Sequence, residues 1–120
     1  MGLHITEARR ENAVVLTLRG DLDLRTAPNL RVQLADLVRR CDTDVVLDLA
    51  DVSFIDSTGL AAMLNVLRRL TRARRRLMLV SPDGPVRRIL RLTRLDGTFV
   101  VRDFVEDALE ALAGRDPAAA

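Results

Sequence analysis

The chain has 120 residues, 48% of them hydrophobic and 30% charged, which fits one folded domain burying roughly two-thirds of its unfolded surface and excludes a disordered chain. No apolar run approaches the ~18 residues needed to cross a bilayer, and the opening MGLHITEARRENAVV lacks the basic end and apolar stretch of a secretory signal, so a cytoplasmic location is expected, with no membrane partner. The sequence pI of 9.8 overstates the basicity: all nineteen basic residues are Arg, Lys and Tyr are absent, and a formal charge of +2 must carry the pI far upward before the charges balance.

The first elements read as β-structure. LHITEA and AVVLTLRG are β-rich runs separated by the polar RREN and suggest an antiparallel pair. GDLDLRTAP breaks the pattern; Thr26 is a plausible N-cap, Pro28 suits a first helical turn, and Leu30, Leu34, Leu37 and Val38 recur at helical spacing to about Arg40. DVVLDLADVSF follows as a central-strand run ending in an acidic turn. Leu60, Met63, Leu64, Leu67 and Leu70 then trace an apolar stripe that predicts a helix of about sixteen residues packed on a sheet.

RRLMLVSPDG gives another strand and a turn, and PVRRILRLTRLDG a short helix with Val86, Ile89, Leu90 and Leu92 facing inward, stopped near Gly97. TFVVRDF is a short strand, and VEDALEALAG a final amphipathic helix closed by Gly114. One domain is expected over 1–113, with 114–120 a disordered tail. Strands alternating with helices after an opening hairpin predict an α/β fold with a mixed sheet, since parallel pairs need helical crossovers. Cys41 stands alone, so an internal disulfide is impossible, and with His4 the only imidazole there is no ordinary Cys/His zinc site. Cys41 is expected to be inert near a helix end.

In FIDSTGL the strand-to-helix turn places Asp56, Ser57, Thr58 and Gly59 at the helix start, where the first N–H groups lack intrahelical partners. Capping accounts for any one of these polar residues. Three in a row exceed what capping requires, and Gly59 in a first turn carries a propensity penalty near 1 kcal/mol, which suggests a surface kept open for a partner or a kinase. A phosphate on Ser57 would bring a charge of about −1.5 to −2 to a helix N-terminus, where donors and dipole favour anions. A partner bound over the same turn would meet an uncompensated charge costing on the order of 3–5 kcal/mol.

The stretch VVLDLADVSFIDSTGL, preceded by LRGDLDLRTAPNL and followed by SPDGPVRRILRLTRLDGTFVVRDFVEDALEAL, resembles the STAS domain of bacterial anti-sigma factor antagonists over about residues 3 to 113. The resemblance implies a mixed sheet of four or five strands with helices packed mainly on one side. It implies that Ser57 is phosphorylated by an anti-sigma factor that is also a serine kinase, that the unphosphorylated protein binds this partner and frees a sigma factor, and that a serine phosphatase resets the switch. Asp23 matches a position close to the phosphorylated turn, and Asp21 one that carries Asp or Glu; with Asp56, Ser57, Thr58 and Gly59 they form the expected partner-binding set, although both could serve only to shape a turn. The oligomeric state would be monomer or weak dimer. The alternative is a non-switching STAS adaptor subunit of a transporter or a stress-signalling complex.

An enzyme is not expected. No G-x-S-x-G surrounds Ser57, and without Lys neither a Ser–Lys dyad nor a Walker A lysine can form. No cofactor or metal is expected, because Asp48, Asp51 and Asp56 fall on a strand and a turn. Arg68, Arg69, Arg72, Arg74, Arg75 and Arg76 cluster, with Arg87, Arg88, Arg91 and Arg94 on the next helix. Without Tyr or Trp to stack on bases, they read as a solvated face rather than a direct nucleic-acid contact, with an acidic docking partner between those two readings.

Overall fold

The computed structural model describes residues 2–115. The opening hairpin is β1 (Leu3–Arg10) and β2 (Ala13–Leu22), antiparallel as the sequence predicts. Helix α1 (Ala27–Arg40) crosses to β3 (Asp44–Ile55), α2 (Ser57–Arg72) to β4 (Leu77–Val80), and α3 (Pro85–Leu92) with a short 3-10 turn (Leu95–Gly97) to β5 (Val100–Arg102). Each of these crossovers joins neighbouring parallel strands, so the five-stranded sheet runs β1-β2-β3-β4-β5 and is parallel except at β1. Helix α4 (Val105–Glu110) runs on into a turn over Ala111–Arg115, where Gly114 takes a φ of +84° and ends it.

Alternation along the strands divides the core. Val14, Leu16, Leu18, Val45, Leu47, Leu49, Leu77 and Leu79 face the larger layer, where they bury Leu30, Leu34 and Leu37 of α1, Met63, Val66 and Leu70 of α2, and Val86 and Leu90 of α3. Ala13, Val15, Val46, Met78 and Val80 face the other way and pack against Ala108, Ala111 and Leu112. Three helices therefore cover one face and α4 the other, and residues buried on both sides explain why β4 reads as the unbroken LMLV.

Two side-chain expectations need correction. Leu92 is 75% exposed at the end of α3, because the helix stops there; Val86 and Leu90 are buried in the core and Ile89 packs half-buried against it, as expected. In α2 the deep stripe is Gly59, Ala62, Met63, Val66 and Leu70, while Leu60, Leu64 and Leu67 pack half-buried along its margin. Small Gly and Ala let the helix lie close to the sheet, which leaves Leu60, Leu64 and Leu67 packed at the margin of the core. The expected tail lies outside the described residues from 116 on.

Candidate functional site

The parallel crossovers put the N-termini of α1, α2 and α3 at one end of the sheet, beyond the C-terminal ends of β2, β3 and β4. The turn after β2 and the turn after β3 meet there. Asp56 joins them: its Oδ1 accepts from the Gly59 N–H at 2.9 Å, capping α2, while its Oδ2 accepts from the Leu24 N–H at 3.2 Å. Its own N–H donates to the Leu22 carbonyl at 3.3 Å.

Asp23 builds the other turn. Its Oδ1 accepts from the N–H groups of Arg25 at 2.9 Å and Thr26 at 3.2 Å, and Arg25 pairs with Oδ2 at 3.7 Å. Burial alone would push its carboxyl up, but these two backbone donors, the Arg25 charge and the Thr26 hydroxyl outweigh it and hold the group below its ordinary 3.8. Thr26 occupies the N-cap position of α1, yet its side chain makes no capping bond; its hydroxyl donates to the Asp21 carbonyl at 2.7 Å and accepts from the Asp23 N–H at 2.9 Å. The predicted helix cap is a turn clasp. Asp21, the penultimate residue of β2, lies half-buried beside that turn, paired in register with Phe54 of β3.

Ser57 is the first residue of α2 and is exposed, and among the described residues its hydroxyl has no hydrogen-bond partner. Capping is done by Asp56, so the fold makes no demand on the Ser57 hydroxyl. Thr58 is half-buried beside it. Gly59 departs from expectation: a Cβ there would collide with the Leu22 carbonyl oxygen and come within 2.9 Å of Leu22 Cγ and 3.0 Å of Ile55 Cγ1. The missing side chain makes room for the interior, where α2 starts hard against the end of β2, and not for a visiting partner.

Two flanking residues were not legible as surface in the sequence. Leu24, in the turn after β2, is 69% exposed and Phe54, near the end of β3, is 52% exposed, large apolar side chains beside the turns that Asp56 ties together. Leu24 repeats the alternation of Leu18 and Leu22 closely enough to pass for core; only the end of β2 at Leu22 puts it outside. The arginine cluster also divides. Arg75 is 92% buried, with Nε donating to the Thr43 carbonyl at 2.7 Å and one terminal nitrogen to the Val38 carbonyl at 3.1 Å, and Arg76 pairs with Asp44 at 3.0 Å. These two hold the fold together and do not belong to a solvated face.

Among the described residues there is no group of three or more His, Cys, Asp or Glu that could hold a metal, and no helix long and apolar enough to cross a membrane.

A mixed sheet with helices mainly on one face and an open polar turn at the start of α2 is the architecture the sequence resemblance implied, and comparison with known proteins agrees. The STAS domain model matches residues 4–108, and the chain belongs to that family. It is 30% identical to a Thermotoga neapolitana protein named as a candidate anti-sigma factor antagonist, over 88% of this chain and 94% of that one. It is 29% identical to the anti-sigma-F factor antagonist RsfB of Mycobacterium tuberculosis, over 92% and 89%. The crystal structure of an anti-sigma factor antagonist from Mycobacterium paratuberculosis superposes with a TM-score of 0.82 at 27% identity, covering 92% of this chain and 94% of that one.

Proposed function

We propose that this protein is an anti-sigma factor antagonist that works by partner switching and is itself no enzyme. Unphosphorylated, it docks the Ser57 turn on an anti-sigma factor that is also a serine kinase, and the sigma factor held there is released. The kinase moves the γ-phosphoryl group of ATP to Ser57 Oγ; the bond to the β-phosphate oxygen breaks, the hydroxyl proton goes to the kinase, and the dianion ends docking. A serine phosphatase restores the hydroxyl. The names of the relatives support the partner class.

The single observation that carries the switch is the division of labour at α2: Asp56 caps the helix, leaving Ser57 exposed and unbonded at its N-terminus. Thr58, Leu24 and Phe54 complete the docking surface, and Asp21 and Gly59 support it from within. Asp23 contributes by shaping the turn, since its carboxylate is committed to Arg25 and Thr26. An added phosphate meets the favourable end of the helix dipole. A partner closing over it would bury an unmatched charge.

The test is incubation with an anti-sigma kinase and ATP, with the phosphate mapped by mass spectrometry. Ser57→Ala should bind the kinase as the parent does and take no label, and Ser57→Asp should bind at least about tenfold more weakly. Label persisting on the Ala protein, or equal binding by the phosphorylated and unphosphorylated forms, would overturn the reading.

A further inference from the structure

The arginines at the opposite end of the same helices are left unexplained by the switch. Because α1, α2 and α3 each cross from the end of one parallel strand to the start of the next on one face of the sheet, their C-termini all point to the end remote from Ser57. Arg68, Arg69, Arg72 and Arg74, at and just beyond the end of α2, and Arg94 beyond α3 are all exposed. None of the five forms an ion pair or side-chain hydrogen bond with a described residue, although Arg39, Arg40, Arg87 and Arg91 all find carboxylates.

A bland explanation is that cations suit helix C-termini. Backbone conformation argues that this is not sufficient. Helix α2 ends in a Schellman turn, with the Arg74 N–H donating to the Thr71 carbonyl at 3.0 Å and the Arg75 N–H to the Leu70 carbonyl at 2.8 Å. Arg74 sits at its left-handed position with φ +59°, and Arg94 takes the matching position after α3 with φ +60°. Glycine is the residue that folding favours at both places, since a Cβ is disfavoured in the left-handed region. Two helix ends on one face have each forgone it for an unpaired guanidinium.

We infer that this end of the molecule is a second docking surface, formed by Arg68, Arg69, Arg72, Arg74 and Arg94, and that it takes an acidic segment of a partner protein. Guanidiniums are suited to bidentate pairing with carboxylates. Leu92, 75% exposed on α3 and next but one to Arg94, supplies an apolar anchor that a peptide side chain can cover and a phosphate backbone cannot use. Tyr and Trp, which would stack on nucleic-acid bases, are absent.

The probe is a short fluorescein-labelled peptide of repeated Glu-Glu-Leu, titrated with the full chain and followed by anisotropy, with random-sequence duplex DNA as the comparison. The parent should bind the peptide, more weakly as salt rises. The double variant Arg74→Gly/Arg94→Gly should bind at least about threefold more weakly while its melting midpoint stays level or rises. Arg68→Gln/Arg72→Gln, which leaves both helix ends intact, should weaken binding to a similar degree. The inference is overturned if the parent ignores the peptide, if the variants bind as the parent does, if the glycine variant melts lower, or if duplex DNA binds more tightly than the peptide at the same ionic strength.

Discussion

Each carboxylate oxygen of Asp56 holds a different N–H group, so its substitutions separate two contributions. Asn can still cap Gly59 through its amide oxygen, but its NH2 then faces the Leu24 N–H, donor against donor. Ala loses both bonds. Urea unfolding should place Asp56→Ala about 1–2 kcal/mol below the parent, in the range for a lost N-cap, with Asp56→Asn between the two. Gly59→Ala is a sharper case because propensity and packing oppose each other. Ala gains up to ~1 kcal/mol in a helix, whereas forcing a Cβ against the Leu22 backbone costs about 1–3 kcal/mol. Packing should win, and the urea midpoint should fall. The sequence made Ser57 conspicuous through its neighbours, but a glycine that opens a surface and one that admits a neighbouring strand are spelled alike. Only the approach of Leu22, thirty-seven positions away, distinguishes them.

The turn between β2 and α1 is a unit whose stability has a pH signature. Asp23 is held below its ordinary 3.8 in the folded protein, and Asp83 is held low too, chiefly by the hydrogen bond and charge of Arg91. In such a window the unfolded chain binds more protons than the folded one, so stability falls as the medium is acidified. The contribution is complete above 3.8 and is lost as pH drops through the lower folded value. Asp23→Asn should therefore be less stable than the parent at neutral pH, with the gap in urea midpoint closing below pH 3.8. A gap of constant size would assign Asp23 a purely steric role. At this scale the chain order of elements was legible throughout, because each crossover carries its own periodicity and Gly or Pro punctuation. What was not legible is which arginines fold back. Arg75 and Arg76 look like Arg72 and Arg74 in sequence, and the end of α1 and the start of β3, which receive them, lie more than thirty residues upstream.

Across the whole molecule, parallel helices set up two unlike ends: Asp21, Asp23, Asp56 and Ser57 where the helices begin, unpaired arginines where they finish. Charge balance between them is delicate because so few side chains titrate near neutrality, with His4 the only imidazole and Lys and Tyr missing. A phosphoserine at Ser57, with its charge of about −2, nearly cancels the formal +2. The pI of 9.8 should then fall to about 7, while Ser57→Asp, adding a single charge, should focus near pH 8. Isoelectric focusing thus separates the modified form from the parent and from its mimic, and a phosphorylated band remaining close to the parent would show that fewer charges had been added than a dianion brings. The same arithmetic predicts that the phosphorylated protein, close to neutral overall at physiological pH, is the less soluble form, because net charge is what keeps copies apart. Turbidity at matched concentration should rise with phosphate stoichiometry at low ionic strength, where the acidic and basic ends attract most strongly, and should clear on adding salt.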